Sequence, residues 1–219
     1  MKGAIIYSSL SGNTKKLAEK LAEGLSDTGE WIVSDLNEKP NLSEADCVLL
    51  GAWVDRAMPN KAAMTVIETL PDIPTGIFVT MGAMPDSPHG ERVAENLDNL
   101  LKDRKSLGYV ILPGKVDEKV IERVRRMPEG PMPEAVRMQM IEAGEKSRWA
   151  TDAEYDAAIN HIKLSIKNYF YTTFLRKEIY YETNSCNCVI IVHDGYTYAV
   201  EFCDGEYGKK RAGGNIRRI

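Results

Sequence analysis

Cysteine and long apolar runs are both scarce in this sequence, and each shortage excludes a class of protein. The 219 residues hold only four cysteines, a poor disulfide framework for a secreted scaffold, so we expect reduced thiols. No apolar run approaches the roughly 20 residues that a membrane-spanning helix needs. The first residues enter a strand pattern without a cleavable leader. These observations predict a cytoplasmic protein that binds no membrane.

Positive charge is scarce outside the end of the chain. The net charge is −4, and residues 209–219 hold five basic and no acidic residues, so the rest of the chain carries −9. Nucleic-acid binding requires a basic face, and an acidic body argues against it. The same charge is compatible with docking on a basic protein surface. We interpret the basic end as solvated.

Short apolar runs alternate with helical patterns up to about residue 113. This rhythm is typical of parallel strands joined by crossover helices, and runs that are apolar almost throughout are typical of strands buried on both faces. The length suits one well-buried domain with a short appendage. We therefore predict a doubly wound α/β domain over residues 1–175. Its predicted strands are residues 2–7, 31–34, 47–51, 76–80 and 109–112.

Leucine, alanine and valine recur at helical spacing between these strands. One such helix follows Asn13 and Thr14, and another follows Pro88, where His89 fits a helix start better than an acid–base role. Proline and glycine at Pro128, Gly130, Pro131 and Gly144 separate the later helical patterns. Further helices are predicted over residues 61–70, 118–126, 133–143 and 153–174, the last closing the sheet.

Residues 176–219 have a β texture and form a predicted extension with the basic tail. Asp-Gly at residues 194–195 lies between two apolar runs and predicts a hairpin in which partner numbers sum to 389. Cys186 then lies opposite Cys203 within disulfide range, and Cys188 lies opposite Glu201 on the same face. We expect the apolar face to pack on the domain or on a second subunit, in a monomer or homodimer. That face comprises Val189, Ile191, Tyr198, Val200 and Phe202.

A serine-rich loop follows the first predicted strand and leads into the first predicted helix. Residues 8–14 read Ser-Ser-Leu-Ser-Gly-Asn-Thr. Ligands of open α/β sheets lie beyond the carboxyl ends of the strands, where a helix N-terminus offers free N–H groups and partial positive charge to an anion. Hydroxyls of Ser9, Ser11 and Thr14 add donors, and Gly12 lets the backbone curl closely. The loop therefore predicts a site for a phosphate monoester.

Other chemistries fit this loop poorly. It lacks the Gly-x-x-x-x-Gly-Lys-Ser/Thr pattern of nucleotide triphosphatases and the Gly-x-Gly-x-x-Gly pattern of dinucleotide folds. It also lacks the acidic residues of a receiver domain and the nucleophilic cysteine of a phosphatase. A turn that only caps its helix is the remaining alternative.

The loop at residues 8–14 resembles the FMN-phosphate loop of flavodoxins. Residues 51–56, Gly-Ala-Trp-Val-Asp-Arg, and residues 80–87, Thr-Met-Gly-Ala-Met-Pro-Asp-Ser, resemble the ring-binding loops of a flavodoxin subfamily. The sequence departs from the family at residues 57–59, where similar proteins often carry a glycine. The resemblance covers roughly residues 2–170. It implies non-covalent FMN binding and a flavodoxin-like, five-stranded parallel sheet of order 2-1-3-4-5 with helices on both faces.

The ring of a bound FMN should lie against the two later loops. Trp53 offers a face for stacking, and Gly82 offers main-chain donors to the pyrimidine edge. Negative charge of Asp55 and Asp86 near a flavin that becomes anionic disfavours full reduction, which predicts a low potential. The predicted cofactor-binding residues are Ser9, Leu10, Ser11, Gly12, Asn13, Thr14, Ala52, Trp53, Val54, Asp55, Thr80, Met81, Gly82, Ala83 and Asp86.

The resemblance implies an electron carrier that serves a separate reductase or oxidase. No acid–base pair, nucleophile or metal site stands out in the sequence, so we predict no catalytic or metal-binding residues. The alternative on the same fold is an FMN-dependent NAD(P)H or quinone oxidoreductase. A flavin-free interaction module is a third hypothesis.

Overall fold

The computed structural model describes residues 1–127, 133–178, 188–193 and 196–201. In chain order its elements are β1 (Lys2–Tyr7), α1 (Asn13–Gly24), β2 (Glu30–Asp35), a short 3-10 helix (Leu36–Glu38), β3 (Cys47–Asp55), β4 (Met58–Pro59), α2 (Lys61–Thr69), β5 (Thr75–Met81), α3 (Pro88–Leu101), β6 (Ser106–Pro113), α4 (Glu118–Arg125), α5 (Glu134–Lys146), α6 (Asp152–Glu178), β7 (Cys188–His193) and β8 (Tyr196–Glu201).

Five parallel strands form the central sheet in the order β2-β1-β3-β5-β6. The predicted order 2-1-3-4-5 is confirmed, since β5 and β6 are the fourth and fifth predicted strands. The two-residue strand β4, which was not predicted, pairs antiparallel with the end of β3. The strand order reverses between β1 and β3, and such a reversal opens a crevice at the carboxyl ends where ligands bind.

Strand alternation sends one set of side chains into a core shared with α2 and α3. Val48, Leu50 and Ala52 of β3 are fully buried there. Leu97 of α3 packs in the same cluster. On the other face α1 contacts β1, β2 and β3. Every site-bearing loop is therefore anchored to a strand that is packed on both sides.

The helix α5 continues through Gly144, where the sequence predicted a break. Gly144 is buried, and a Cβ there would lie 2.8 Å from Cγ1 of Ile121 on α4. The glycine therefore permits the close approach of α4 and α5 instead of ending a helix. The other predicted breakers, Pro128, Gly130 and Pro131, lie outside the described residues.

Contacts divide the chain into two compact units, Met1–Ile166 and Lys167–Ile219. In the second unit β7 and β8 pair antiparallel with Cys188 opposite Glu201, so the predicted hairpin register is confirmed. Residues 186, 194–195 and 202–219 lie outside the described residues. The predicted boundary after residue 175 stays a prediction. Among the helices that the structure describes, none is both long and apolar enough to span a bilayer.

A capping box and an ion pair begin α6. Glu154 accepts hydrogen bonds from the backbone N of Thr151 at 2.7 Å and from Arg148 Nη1 and Nη2 at 2.7 and 2.8 Å. The hydrogen bond from Arg148 is the main cause that lowers the pKa of Glu154 from its ordinary 4.5 to about 2. A carboxylate whose pKa is lowered on folding stabilises the folded state above its ordinary pKa.

We expect Glu154→Gln to lower the free energy of unfolding at pH 7 by about 1 to 2 kcal/mol, because solvent partly screens this half-exposed pair. The difference from wild type should shrink as the pH falls from about 5 toward 2, where the wild-type carboxylate becomes protonated. Urea unfolding across that range measures it. Glu23→Gln is the control, since its ion pair with Lys20 is exposed and 3.8 Å long. A constant difference at every pH would contradict the prediction.

Candidate functional site

The first helix begins without a side-chain cap. Gly12 is its N-cap residue with φ of 87° and makes no side-chain cap. The Gly12 N–H donates to Ser9 Oγ at 3.2 Å, whereas no side chain in the described part of the chain bonds the backbone N–H groups of Asn13, Thr14 and Lys15. In contrast, Ser87 caps α3 and Asp117 caps α4 with their own oxygens. The first N–H groups of a helix have no intrahelical acceptor, so those of α1 are available to an anion. A Cβ at Gly12 would meet no atom within 4 Å, so the loop has open space beside this residue.

Asn13 fastens this loop to the segment after β6. Its Nδ2 donates to Ser11 Oγ at 2.7 Å and to the Lys115 carbonyl at 2.9 Å. Its Oδ1 accepts from the Lys115 backbone N at 2.8 Å. Asn13 is buried, so its side chain orients the loop from below and is not directed at a ligand. Its predicted contact with a phosphate therefore depends on its main-chain amide.

The hydroxyl of Thr14 is also engaged within the protein. Thr14 Oγ1 lies 2.9 Å from Thr80 Oγ1 on β5, and both side chains are buried. The two predicted site residues are thus brought together, but the Thr14 hydroxyl acts as a brace between loop and sheet. Ser11 is exposed and Ser9 is half-buried. Both hydroxyls accept a hydrogen bond within the loop, Ser9 Oγ from the Gly12 backbone N at 3.2 Å and Ser11 Oγ from Asn13 Nδ2, which leaves their O–H groups to donate. Leu10 is 74% exposed and offers only its main chain.

Side chains along β3 alternate between the two faces of the sheet, so the predicted residues of the second loop, 52–55, do not all face the same side. The side chains of Ala52 and Val54 pack in the α2–α3 core, so their predicted contact with a ring, which stays a prediction, depends on the main chain. Trp53 points to the opposite face and pairs in register with Thr80, beside the phosphate loop. Asp55 is exposed at the end of the strand. Only Trp53 and Asp55 of this segment offer side chains to a ring.

In the third loop, residues 80–87, some of the predicted side chains again pack in the core while others are exposed. The side chains of Met81 and Ala83 pack against the α2–α3 core, so their predicted contact with a ring, which stays a prediction, depends on the main chain. Gly82 is required by packing, because a Cβ there would lie 2.4 Å from Cγ2 of Val116. Asp86 is exposed. The pKa of Arg148 is raised first by its hydrogen bond with Glu154 and more weakly by Asp86.

Arg148 is already paired with Glu154 through two hydrogen bonds, so this pair adds no net charge beside Asp86. The predicted effect of Asp55 and Asp86 on the reduction of a flavin stays a prediction.

A tight hairpin with an unusual turn follows Trp53. β3 and β4 pair through the two residues Arg56 and Ala57, with φ of 51° and 65°. Both are left-handed conformations, which favour glycine or asparagine over other residues. Similar proteins often carry a glycine at residues 57–59. This chain instead holds alanine at residue 57 in a backbone conformation that glycine adopts without strain. Asn96 Nδ2 donates to the Ala57 carbonyl at 2.8 Å and holds the turn from α3.

We expect Arg56→Asn to raise the free energy of unfolding by about 0.5 to 1 kcal/mol, because asparagine tolerates a positive φ better than arginine does. Arg56 is exposed, so the change removes little packing. Urea unfolding measures the difference. The same substitution at Arg123, exposed on α4, should instead lower stability through its weaker helix propensity. A loss of stability at position 56 would contradict the prediction.

The sequence missed three residues beside the predicted loops, Asn60, Asn96 and Lys115, and it placed Ser8 in the first loop without giving it a role. Asn60 Nδ2 donates to Ser8 Oγ at 3.1 Å, and the Ser8 backbone N donates to the Gly51 carbonyl at 2.9 Å. Asn60 had a local indication, since it follows Pro59 directly before a predicted helix. The other partners are distant in sequence and carry no such indication.

His89 lies in the first turn of α3, as predicted for a helix start. Burial, followed by the nearby Arg92 charge, lowers its pKa. This favours the neutral imidazole near pH 7.

The uncapped N-terminus of α1 lies at the reversal point of a doubly wound sheet, the place where proteins of this α/β class bind anionic ligands. A family model described as "Flavodoxin domain" matches residues 4–161. The flavodoxin-like domain-containing protein BilS of Clostridioides difficile (strain CD3) is 30% identical over 174 residues, covering 76% of this chain and 98% of the relative. The corresponding protein of Clostridium symbiosum (strain WAL-14163) is 27% identical over 183 residues, covering 75% and 95%.

Two solved structures are also similar to this chain. A flavodoxin from the domain Archaea is 19% identical with a TM-score of 0.41, covering 67% of this chain and 98% of that one. A flavoprotein in complex with FMN from Lactobacillus acidophilus NCFM is 16% identical with a TM-score of 0.40, covering 56% and 97%. On the match of the family model and of the C. difficile relative, the chain belongs to the flavodoxin family.

Proposed function

We propose that this protein binds FMN non-covalently and passes electrons to or from a partner oxidoreductase. The uncapped start of α1 carries the proposal, because its free amides and the open space at Gly12 suit a phosphate dianion. FMN supplies the electron-accepting ring. The chain binds and orients it through the loop of residues 9–14, the Trp53 face and the main chain of the two later loops.

Family membership supports the choice of FMN over other phosphate esters. The position of Trp53 supports it further, since its register partner Thr80 contacts the phosphate loop through Thr14. A phosphate at the start of α1 would therefore place an attached aromatic group close to the indole. Stacking of this kind adds about 0.5 to 1.5 kcal/mol beyond area burial.

An absorbance spectrum and an FMN titration of the purified protein test the cofactor. We expect flavin bands that persist through desalting, and FMN released on denaturation and identified by mass. A stable semiquinone on partial reduction would support a carrier. Protein that binds no FMN after incubation with excess would refute the proposal and favour a flavin-free module.

A groove in the structure supports the alternative function, an FMN-dependent NAD(P)H or quinone oxidoreductase. It has a volume of about 540 Å3 and lies between the loop of Met84–Asp86, the strand β6 and the helix α6, with Arg148 and His161 in its lining. A nicotinamide there would approach the predicted ring loop. Steady oxidation of NADH or NADPH without a partner protein would favour this alternative over the carrier.

A further inference from the structure

Asn60 carries a buried polar atom that nothing in the protein satisfies. Among the described residues, its Oδ1 is the one buried side-chain nitrogen or oxygen without a hydrogen-bond partner. The residue is only 5% exposed. Reversing the amide exchanges its two ends without satisfying both, because Ser8 bonds just one of them. Burying an unpaired amide group costs free energy, so its persistence at one place requires a reason.

Helix capping does not supply that reason. Asn60 is the N-cap residue of α2, where asparagine usually bonds the first amides, but its side chain makes no capping hydrogen bond. Its main chain is already paired, donating to the Trp53 carbonyl at 3.0 Å and accepting from the Met64 backbone N at 3.0 Å. The side chain turns away from its own helix and toward Ser8.

Asn60 lies between the part of the candidate site predicted to bind phosphate and the part predicted to bind the ring. On one side its amide contacts Ser8, the residue before the predicted phosphate loop. On the other side its backbone contacts Trp53, the predicted stacking residue. In FMN the part between phosphate and ring is the ribityl chain, a polyol.

We propose that the side-chain amide of Asn60 binds a ribityl hydroxyl of the cofactor, an inference that rests on the proposed function. A hydroxyl both donates and accepts, so it satisfies whichever end of the amide Ser8 leaves unpaired. A phosphate oxygen only accepts. Asparagine suits this position better than aspartate, whose carboxylate would repel the neighbouring phosphate.

Three flavins distinguish a contact with the ribityl chain from contacts with the phosphate or with the ring. FMN has phosphate, polyol and ring, riboflavin lacks the phosphate, and lumiflavin lacks both phosphate and polyol. We expect Asn60→Ala to weaken FMN and riboflavin by the same factor, roughly three- to tenfold, and to leave lumiflavin unchanged. Fluorescence titration of the full chain measures all three. Asn99→Ala, at an exposed asparagine of α3, is the matched control and should change none of them.

A Ser8→Ala background tests whether Asn60 acts only through Ser8. A direct contact keeps its effect on riboflavin in that background, whereas an effect that vanishes there would overturn the proposal. Equal losses for all three flavins, or no loss, would also overturn it while leaving FMN binding by the wild type intact. Wild-type protein that binds no flavin would refute the proposed function itself.

Asn60→Asp preserves the side-chain shape if the alanine variant does not fold. Its carboxylate should weaken FMN more than riboflavin, because only FMN carries the phosphate. Equal effects on the two flavins would place residue 60 away from the cofactor and overturn the proposal.

Discussion

Ser11→Asp should lower the affinity for FMN by at least about a hundredfold and leave riboflavin affinity within about threefold of wild type. Ser11 is exposed at the start of α1, next to the uncapped amides. Two unit charges 4 Å apart repel by about 4 kcal/mol at an effective dielectric constant of 20, and FMN phosphate carries up to two charges. Riboflavin has no phosphate and feels no such repulsion.

The same substitution should not destabilise the protein. Aspartate at residue 11 can still accept the hydrogen bond that Asn13 Nδ2 now gives to Ser11 Oγ at 2.7 Å. A carboxylate near a helix N-terminus is also favourable. Ser11→Asn is the neutral control and should bind FMN nearly as well as wild type. Fluorescence titration with both flavins gives the result, and FMN affinity within threefold of wild type in the aspartate variant would exclude a phosphate site at α1.

Asn13→Ala should lower the free energy of unfolding by about 2 to 3 kcal/mol. The substitution removes three hydrogen bonds, including both bonds to the main chain of Lys115. Alanine leaves that N–H and carbonyl without their protein partners, in a partly buried place where water replaces them only in part. FMN affinity should fall as well, because the loop loses its tie to the segment after β6.

Urea unfolding of the FMN-free protein measures this loss without a contribution from the ligand. Asn99→Ala serves again as the exposed control and should change stability by less than about 0.5 kcal/mol. Asn13→Asp retains the acceptor for the Lys115 N–H but loses both donors, so it should fall between wild type and alanine. Unchanged stability of the alanine variant would show that the loop does not depend on Asn13.

The sheet and its crossover helices were predictable because their patterns are local. Continuous apolar runs marked all five parallel strands, and helical spacing marked α1 to α6. The end of β3 was predicted four residues early, at Gly51 instead of Asp55. The cause is the turn after it, since Arg56 and Ala57 carry none of the glycine or asparagine that usually indicates a two-residue hairpin.

The site was predictable as a set of loops but not as a set of side chains. Alternation counted from Val48 and Leu50 already indicates that the side chains of Ala52 and Val54 face the α2–α3 core. The resemblance of this loop to flavodoxin loops covers whole segments and does not distinguish these side chains from those on the other face. The contact of Asn13 with Lys115 spans 102 residues, and no local pattern in the sequence indicates it. The predicted contacts with FMN stay predictions.

The hydrogen bond between the hydroxyls of Thr14 and Thr80 has a consequence for the electron transfer that we propose. This hydrogen bond connects the loop predicted to bind the phosphate of the cofactor with β5, the strand beside Trp53, which is predicted to contact the ring. Closely packed interiors deform little, so a cofactor held at both ends by one such body moves little when its charge changes. Small nuclear displacement means low reorganisation energy, and a low reorganisation energy lets electrons cross rapidly even when the driving force is slight.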